Sequence, residues 1–248
     1  MTVINKYLLE ICCYSASDVL TAWQGGAHQV ELCSAYAVGG LTPSLGALQL
    51  SKSISKIPVN VMIRPRGGNF TYHALEKELM LKDAQIAIEN KAEGIVFGAL
   101  NADNTVDYNF CKSIKKACAN VPLTFHRAID LCANVNDAIA FLADIGVQSI
   151  LTSGAEQTAL QGIQQIEQFH QLAKGKINIM AGSGVNADNI LNFAKIGLTH
   201  FHSSASIIET NGIVNDKIAF NAALKNNEQS VVSKQKVEAL VQKLNCFF

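Results

Sequence analysis

The fold class this chain predicts is an α/β barrel of eight strand-helix units, the TIM (β/α)8 architecture, and three observations predict it. Eight short apolar or alternating runs begin near Tyr7, His28, Pro58, Gly94, Pro122, Gln148, Ile177 and Thr199, with stretches of helical spacing between them. The starts lie 21 to 36 residues apart, room each time for a strand, a helix and two short loops. Glycines close several helices just before the next strand, at Gly25 and Gly26, Gly146 and Gly197, where a left-handed cap is least strained. Eight such units close a barrel.

Taken in order, the strands break the usual rule that parallel strands buried on both faces read as continuous apolar runs. In the first, Leu9, Ile11 and Cys13 alternate with Glu10 and Cys12; in the second, Val30 and Leu32 alternate with Gln29, Glu31 and Cys33. The third sets Val59, Val61 and Ile63 against Asn60, Met62 and Arg64. The fourth, sixth and seventh, from Gly94, Gln148 and Ile177, are placed by their spacing. The fifth sets Leu123 and Phe125 against Thr124 and His126, and the eighth sets Phe201 against His200 and His202. The period is two, so with the apolar set facing the helices, Glu10, Cys12, Glu31, Cys33, Arg64, His126 and His202 point into the lumen near its carboxyl end. Barrel sites occur at that end. Burying these charges costs roughly several kcal/mol each unless they pair, which predicts Arg64 against Glu10 or Glu31.

One internal echo supports the frame: Ile145 to Ser153 lines up with Ile196 to Ser204, each a helix end, a strand and a hydroxyl-rich turn. Past Ser206 the pattern weakens, and Val237, Leu240, Val241 and Leu244 then form a helical stripe that packs on the barrel or on a second copy in a homodimer. The expected organisation is a single domain over 1–248, with a barrel core at about 7–210 and a C-terminal helical segment at about 214–246.

Composition narrows the function. Lys plus Arg and Asp plus Glu both number 20, so no net field gathers nucleic acid or anionic lipid. No apolar run reaches the roughly 18 to 20 residues of a membrane span, and Met1 to Cys13 does not read as a signal peptide. Seven cysteines without a CxxC pair fit reduced thiols in the cytoplasm.

Four constellations carry chemistry. Glu10-Ile-Cys12 and Glu31-Leu-Cys33 repeat on neighbouring strands, about 4.8 Å apart in a sheet, so Cys12 and Cys33 converge as soft ligands for Cu(I), with zinc plus His126 or His202 as the alternative. Cys13, Cys111, Cys118 and Cys246 read as small buried hydrophobes. Arg64 and Arg66, separated by Pro65 and followed by Gly67 and Gly68, form an anion fork, or else a paired Arg64 and a solvated Arg66. Gly182, Ser183 and Gly184 after the seventh strand, and Ser203 and Ser204 after the eighth, hold the positions of the common barrel phosphate site, with a helix start adding positive potential. His126 and Asp130 suggest a carboxylate-oriented imidazole for proton transfer, against the alternative of a satisfied core histidine. No P-loop, HExxH or nucleophile elbow is present, and no organic cofactor is predicted.

These residues resemble the copper homeostasis protein CutC family. The resemblance rests on Glu31-Leu-Cys-Ser34, Gly39-Gly-Leu-Thr-Pro-Ser44, Val61-Met-Ile-Arg-Pro-Arg-Gly-Gly68, Val96-Phe-Gly98, Thr124-Phe-His-Arg-Ala128, Leu151-Thr-Ser-Gly154 and Phe201-His-Ser-Ser204, and runs from Leu9 to about Ala205. It implies a cytoplasmic TIM barrel that binds copper, with Cys12 and Cys33 in the positions of the proposed ligands. Tyr14 stands where the family usually carries an acid, and Ser183 where a glycine is common. Two functions compete: a Cu(I)-binding protein, and an enzyme on a small anionic or phosphorylated metabolite. In the enzyme, Glu10, Glu31, Arg64, His126 and His202 supply catalysis, while Arg66, Gly182, Ser183, Gly184, Ser203 and Ser204 hold the anion.

Overall fold

The structure is a computed structural model that describes residues 6–212 and 227–247. Eight parallel strands close a barrel in sequence order: β1 (Leu8–Cys13), β2 (Gln29–Leu32), β3 (Val59–Met62), β4 (Gly94–Phe97), β5 (Leu123–Phe125), β6 (Ser149–Thr152), β7 (Asn178–Ala181) and β8 (His200–Ser203), the last pairing with β1. Each strand begins within one residue of the run that predicts it. The helices between them are α1 (Ala16–Gln24), α2 (Leu45–Ile54), α3 (Ala74–Glu89), α4 (Tyr108–Cys118), α5 (Val135–Asp144), α6 (Ile163–Ala173) and α7 (Ile190–Lys195). Short 3-10 turns at Tyr36–Val38 and Arg127–Leu131 follow β2 and β5.

Hydroxyl and carboxylate caps start several helices. Ser15, Ser44 and Asp107 accept from the first-turn amides of Asp18, Ala47 and Phe110, as N-cap chemistry requires. At the other ends Gly26, Gly146 and Gly197 have the positive φ expected of them. Gly25 is different, with φ −80: there a glycine is needed because a Cβ would stand 2.7 Å from the Cβ of Val237.

The core lies between barrel and helices. Leu9, Ile11 and Cys13, Val30 and Leu32, Val59, Val61 and Ile63, and Phe97, Phe125 and Phe201 form one cluster with the inner faces of the helices. Each such side chain contributes about 1.5–3 kcal/mol by leaving water. The lumen holds a separate small apolar cluster of Cys12, Cys33, Met62 and Val96. Glycines on the lumen face of β4 and just beyond it make room for polar neighbours. A Cβ on Gly94 would fall 2.2 Å from Asn60 Oδ1, and one on Gly98 would fall 2.4 Å from the His126 ring.

After β8 the chain forms an antiparallel hairpin, β9 (Ser206–Thr210) with β10 (Glu228–Val232), which the sequence pattern does not announce. Its strands are mostly solvent-facing and lack an alternating apolar face. Asp18 anchors it, accepting from the Val232 amide at 2.8 Å. Helix α8 (Lys234–Asn245) follows and buries Val237, Leu240 and Leu244. It packs on α1 and α7, so the stripe is covered by the chain's own barrel. Of the expected helical segment at 214–246, the described part carries β10 and then a helix that begins at Lys234; residues 214–226 lie outside the described residues. Among the described residues no helix is long and apolar enough to cross a membrane.

Candidate functional site

At the carboxyl end of the barrel a cavity of about 240 Å³ opens, bordered by Cys12, Tyr14, Glu31, Met62, Arg64, Phe70, His126, Arg127, Leu151 and His202, with Ser183, Gly184, Ser203 and Ser204 along its rim. Beneath it lies an ionic network built by strand register. Glu10 sits opposite Gln29 on one side and His202 on the other. One carboxylate oxygen is 2.9 Å from His202 Nδ1, and the other accepts from Gln29 Nε2 at 2.8 Å and Asn60 Nδ2 at 2.7 Å.

These contacts fix the charges. Burial drives the Glu10 carboxyl up, but the hydrogen bond and charge of His202, with the bonds from Asn60 and Gln29, outweigh it and leave the group below its ordinary value. Burial pulls His202 down, and the charge of Glu31, Cys12 and Glu10 reverse this, holding the ring well above its ordinary value. Glu10 and His202 are therefore a buried carboxylate-imidazolium pair at neutral pH. Glu31 is pushed well up by burial and then by Cys12, against the pull of His202. The Cys33 thiol donates to Glu31 Oε2 at 3.5 Å.

Cys12 and Cys33 diverge. The adjacent Cys33 thiol lowers Cys12, burial opposes, and His202 lowers it further, so Cys12 lies well below the usual thiol range. Cys33 is held well above that range by Cys12 and by burial. Of the two, Cys12 is the readier to ionise. Cys12, Cys33 and Glu31 each bring a ligand atom within 4.8 Å of the others, and all three are buried. None of the seven cysteines forms a disulfide.

Arg64 does not pair with Glu10 or Glu31. Its Nη1 donates to the carbonyls of Val38 at 2.8 Å and Gly40 at 3.1 Å, its Nη2 donates to Gly68 at 2.8 Å, and its plane lies 4.9 Å from the Phe70 ring centre. The reason is height along the strand. Glu10 lies level with Asn60, and Arg64 is four residues further on, roughly 13 Å along an extended chain. His202 takes the acids instead. Arg66 turns away, held by Glu76 at 2.6 Å and by the Thr71 carbonyl at 2.8 Å, and does not border the cavity. The two guanidiniums therefore form no fork.

His126 is not oriented by Asp130. Its Nδ1 accepts from the Ala128 amide at 3.1 Å, and the ring packs on Phe70 with centres 4.8 Å apart. Burial, and then the charge of Arg64, push it down to about 3. The 3-10 turn swings Asp130 across to β6, where it holds Arg127, Thr152 and Ser153.

The glycine-serine turn is partly committed elsewhere. Gly182 lies against Leu151, where a Cβ would clash at 2.4 Å. Ser183, at φ 79, donates to the Gln157 carbonyl, and Ser203 donates to that of Val185. Helix α7 is only six residues long and begins at Ile190, so its start does not reach Gly182 or Gly184. Gly184, Ser203 and Ser204 also border a second cleft of about 320 Å³ with Lys236.

Sequence reasoning passed over Gln29 and Asn60, which hold Glu10, and Arg127 and Phe70, which border the cavity. Gln29 and Asn60 occupy the polar beats of β2 and β3, so the alternation itself carried that signal.

Comparison with known proteins agrees with this frame. The CutC family model matches residues 7–207. A copper homeostasis protein cutC homolog from Mus musculus is 40% identical over 92% of this chain and 85% of its own length. A family protein CutC from Salmonella enteritidis is 45% identical over 81% of each chain. The crystal structure of a CutC protein from Streptococcus agalactiae superposes with TM-score 0.76 at 32% identity, over 80% of this chain and 98% of that one. On sequence match and barrel alike, the chain belongs to the CutC family.

Proposed function

We propose that this protein binds Cu(I) through Cys12 and Cys33 as part of intracellular copper homeostasis, in a reducing, cytoplasmic setting. The observation that carries the reading is the buried cluster in which both sulfurs and a Glu31 oxygen lie within 4.8 Å of one another. Thiolates select Cu(I) over hard cations. The hydrogen bond from Cys33, and after it the bond and charge of His202, favour thiolate at Cys12 before metal arrives, so less proton release opposes binding. The names of the mouse and human relatives, copper homeostasis protein cutC homologs, support the same reading. The seven free cysteines fit a reducing compartment.

Anaerobic competition for Cu(I) against a strong chelator tests it. One Cu(I) per chain is expected, with affinity falling at least about 100-fold in the Cys12→Ser, Cys33→Ser double variant. Unchanged stoichiometry and affinity in that variant would refute the reading.

A further inference from the structure

Three polar atoms of residues bordering the mouth cavity are buried and without a hydrogen-bond partner: Glu31 Oε1, Arg64 Nε and His126 Nε2. Their residues are 2%, 6% and 3% exposed. Each unmade buried bond costs about 1–3 kcal/mol, so three around one cavity mark groups kept for something that enters it. A soft metal on two sulfurs uses neither of the last two.

Those two are both donors. The guanidinium Nε always carries hydrogen. In His126 the Nδ1 accepts from the Ala128 amide, so the proton of the neutral ring sits on Nε2. Both side chains pack on the Phe70 ring, the Arg64 Cζ 4.9 Å and the His126 ring centre 4.8 Å from its centre, and both residues border the cavity. Arg64 also brings a full positive charge that no carboxylate among the described residues neutralises. Its bonded hydrogens go to the neutral carbonyls of Val38, Gly40 and Gly68.

We propose that the cavity binds the carboxylate of a small organic acid, with Arg64 Nε and His126 Nε2 donating to its oxygens. Three of the five guanidinium N–H groups are already spent on backbone, which leaves Nε and one Nη2 hydrogen for a ligand. One positive charge and a neutral imidazole suit a monoanionic head. Met62, Phe70 and Leu151 supply apolar contact for its carbon skeleton. The volume of about 240 Å³ lies below the range of about 300–1,000 Å³ for drug-sized ligands, which limits that skeleton to a few carbons. Neither donor is a proposed metal ligand, though Cys12 and Glu31 border the same cavity.

The test uses full-length, metal-stripped protein titrated with acetate, propionate and glutarate, and with inorganic phosphate and chloride at matched ionic strength. Binding is read from the side-chain nitrogen resonances of His126. The free protein is expected to show the Nε2–H tautomer, with a saturable shift of that resonance on carboxylate addition. In thermal-shift titration, His126→Leu should weaken binding about tenfold or more, the loss of one buried donor. His126→Gln, which keeps an amide donor in reach, should retain binding within about threefold. Cys33→Ser, altered at a proposed copper ligand that does not border the cavity, should bind carboxylate as the unaltered protein does, which separates this site from the copper centre. Saturation by phosphate but no carboxylate, the absence of any carboxylate shift, undiminished binding in His126→Leu, or its loss in Cys33→Ser would overturn the proposal. Should His126→Leu fail to fold, the resonance of the unaltered protein and the glutamine variant decide alone.

Discussion

Glu10→Gln is expected to lower stability by about 3 kcal/mol, the lower end of what breaking a buried ion pair costs. The carboxylate is fully buried and accepts from three groups, Gln29, Asn60 and His202. A glutamine keeps the volume but turns an NH2 toward at least one of these donors and leaves the His202 imidazolium without its nearest counter-charge. The ring answers by losing its proton, which caps the damage. At 2–4 °C per kcal/mol for a domain of this size, the melting temperature should fall by about 6–12 °C at neutral pH. The pH dependence has a defined sign. The folded-state value of Glu10 is depressed, so its contribution is present above the ordinary carboxylate value and is lost as pH falls through the folded value. The gap between the two proteins should therefore narrow below about pH 4.5. A gap that stays constant or widens in acid would contradict the assignment.

Arg64→Met is expected to cost about 3 kcal/mol by another route. The substitution keeps an apolar stem but strands three carbonyls, on Val38, Gly40 and Gly68, each worth about 1–3 kcal/mol if left buried and unpaired. The loops relieve part of this by moving toward water. The loss should therefore appear both in denaturant unfolding and as faster proteolysis within residues 36–40 and 66–70. Arg64→Lys cannot reproduce a planar fork that reaches two loops and should recover less than half. Cleavage rates equal to those of the unaltered protein would show that the guanidinium does not hold these loops.

The barrel was readable because its signal is redundant. Spacing, glycine caps and a period of two all marked the same eight starts, and a one-residue slip would have turned Leu9 and Phe201 inward. The gathering of Glu10, Cys12, Glu31, Cys33 and His202 follows from that same period. Partner choice was not readable, because alternation gives the face and not the height. Arg64 was matched to acids that lie far below it on the lumen wall, while His202, directly opposite Glu10 in the register, takes them. The pairing of Asp130 with His126 fails for a related reason. A 3-10 turn of five residues carries it to Thr152 and Ser153, and the local pattern marks a turn there without fixing its direction. The hairpin of β9 and β10 escaped because it buries little, so neither face needed an apolar beat.

Copper K-edge X-ray absorption on protein loaded anaerobically with one Cu(I) per chain tests the central claim most directly. Two sulfur scatterers are expected as nearest neighbours of the metal, with at most one lighter atom beside them, and both sulfurs should vanish in the Cys12→Ser, Cys33→Ser variant. A spectrum of nitrogen and oxygen neighbours alone, or a sulfur signal that survives the double substitution, would contradict it.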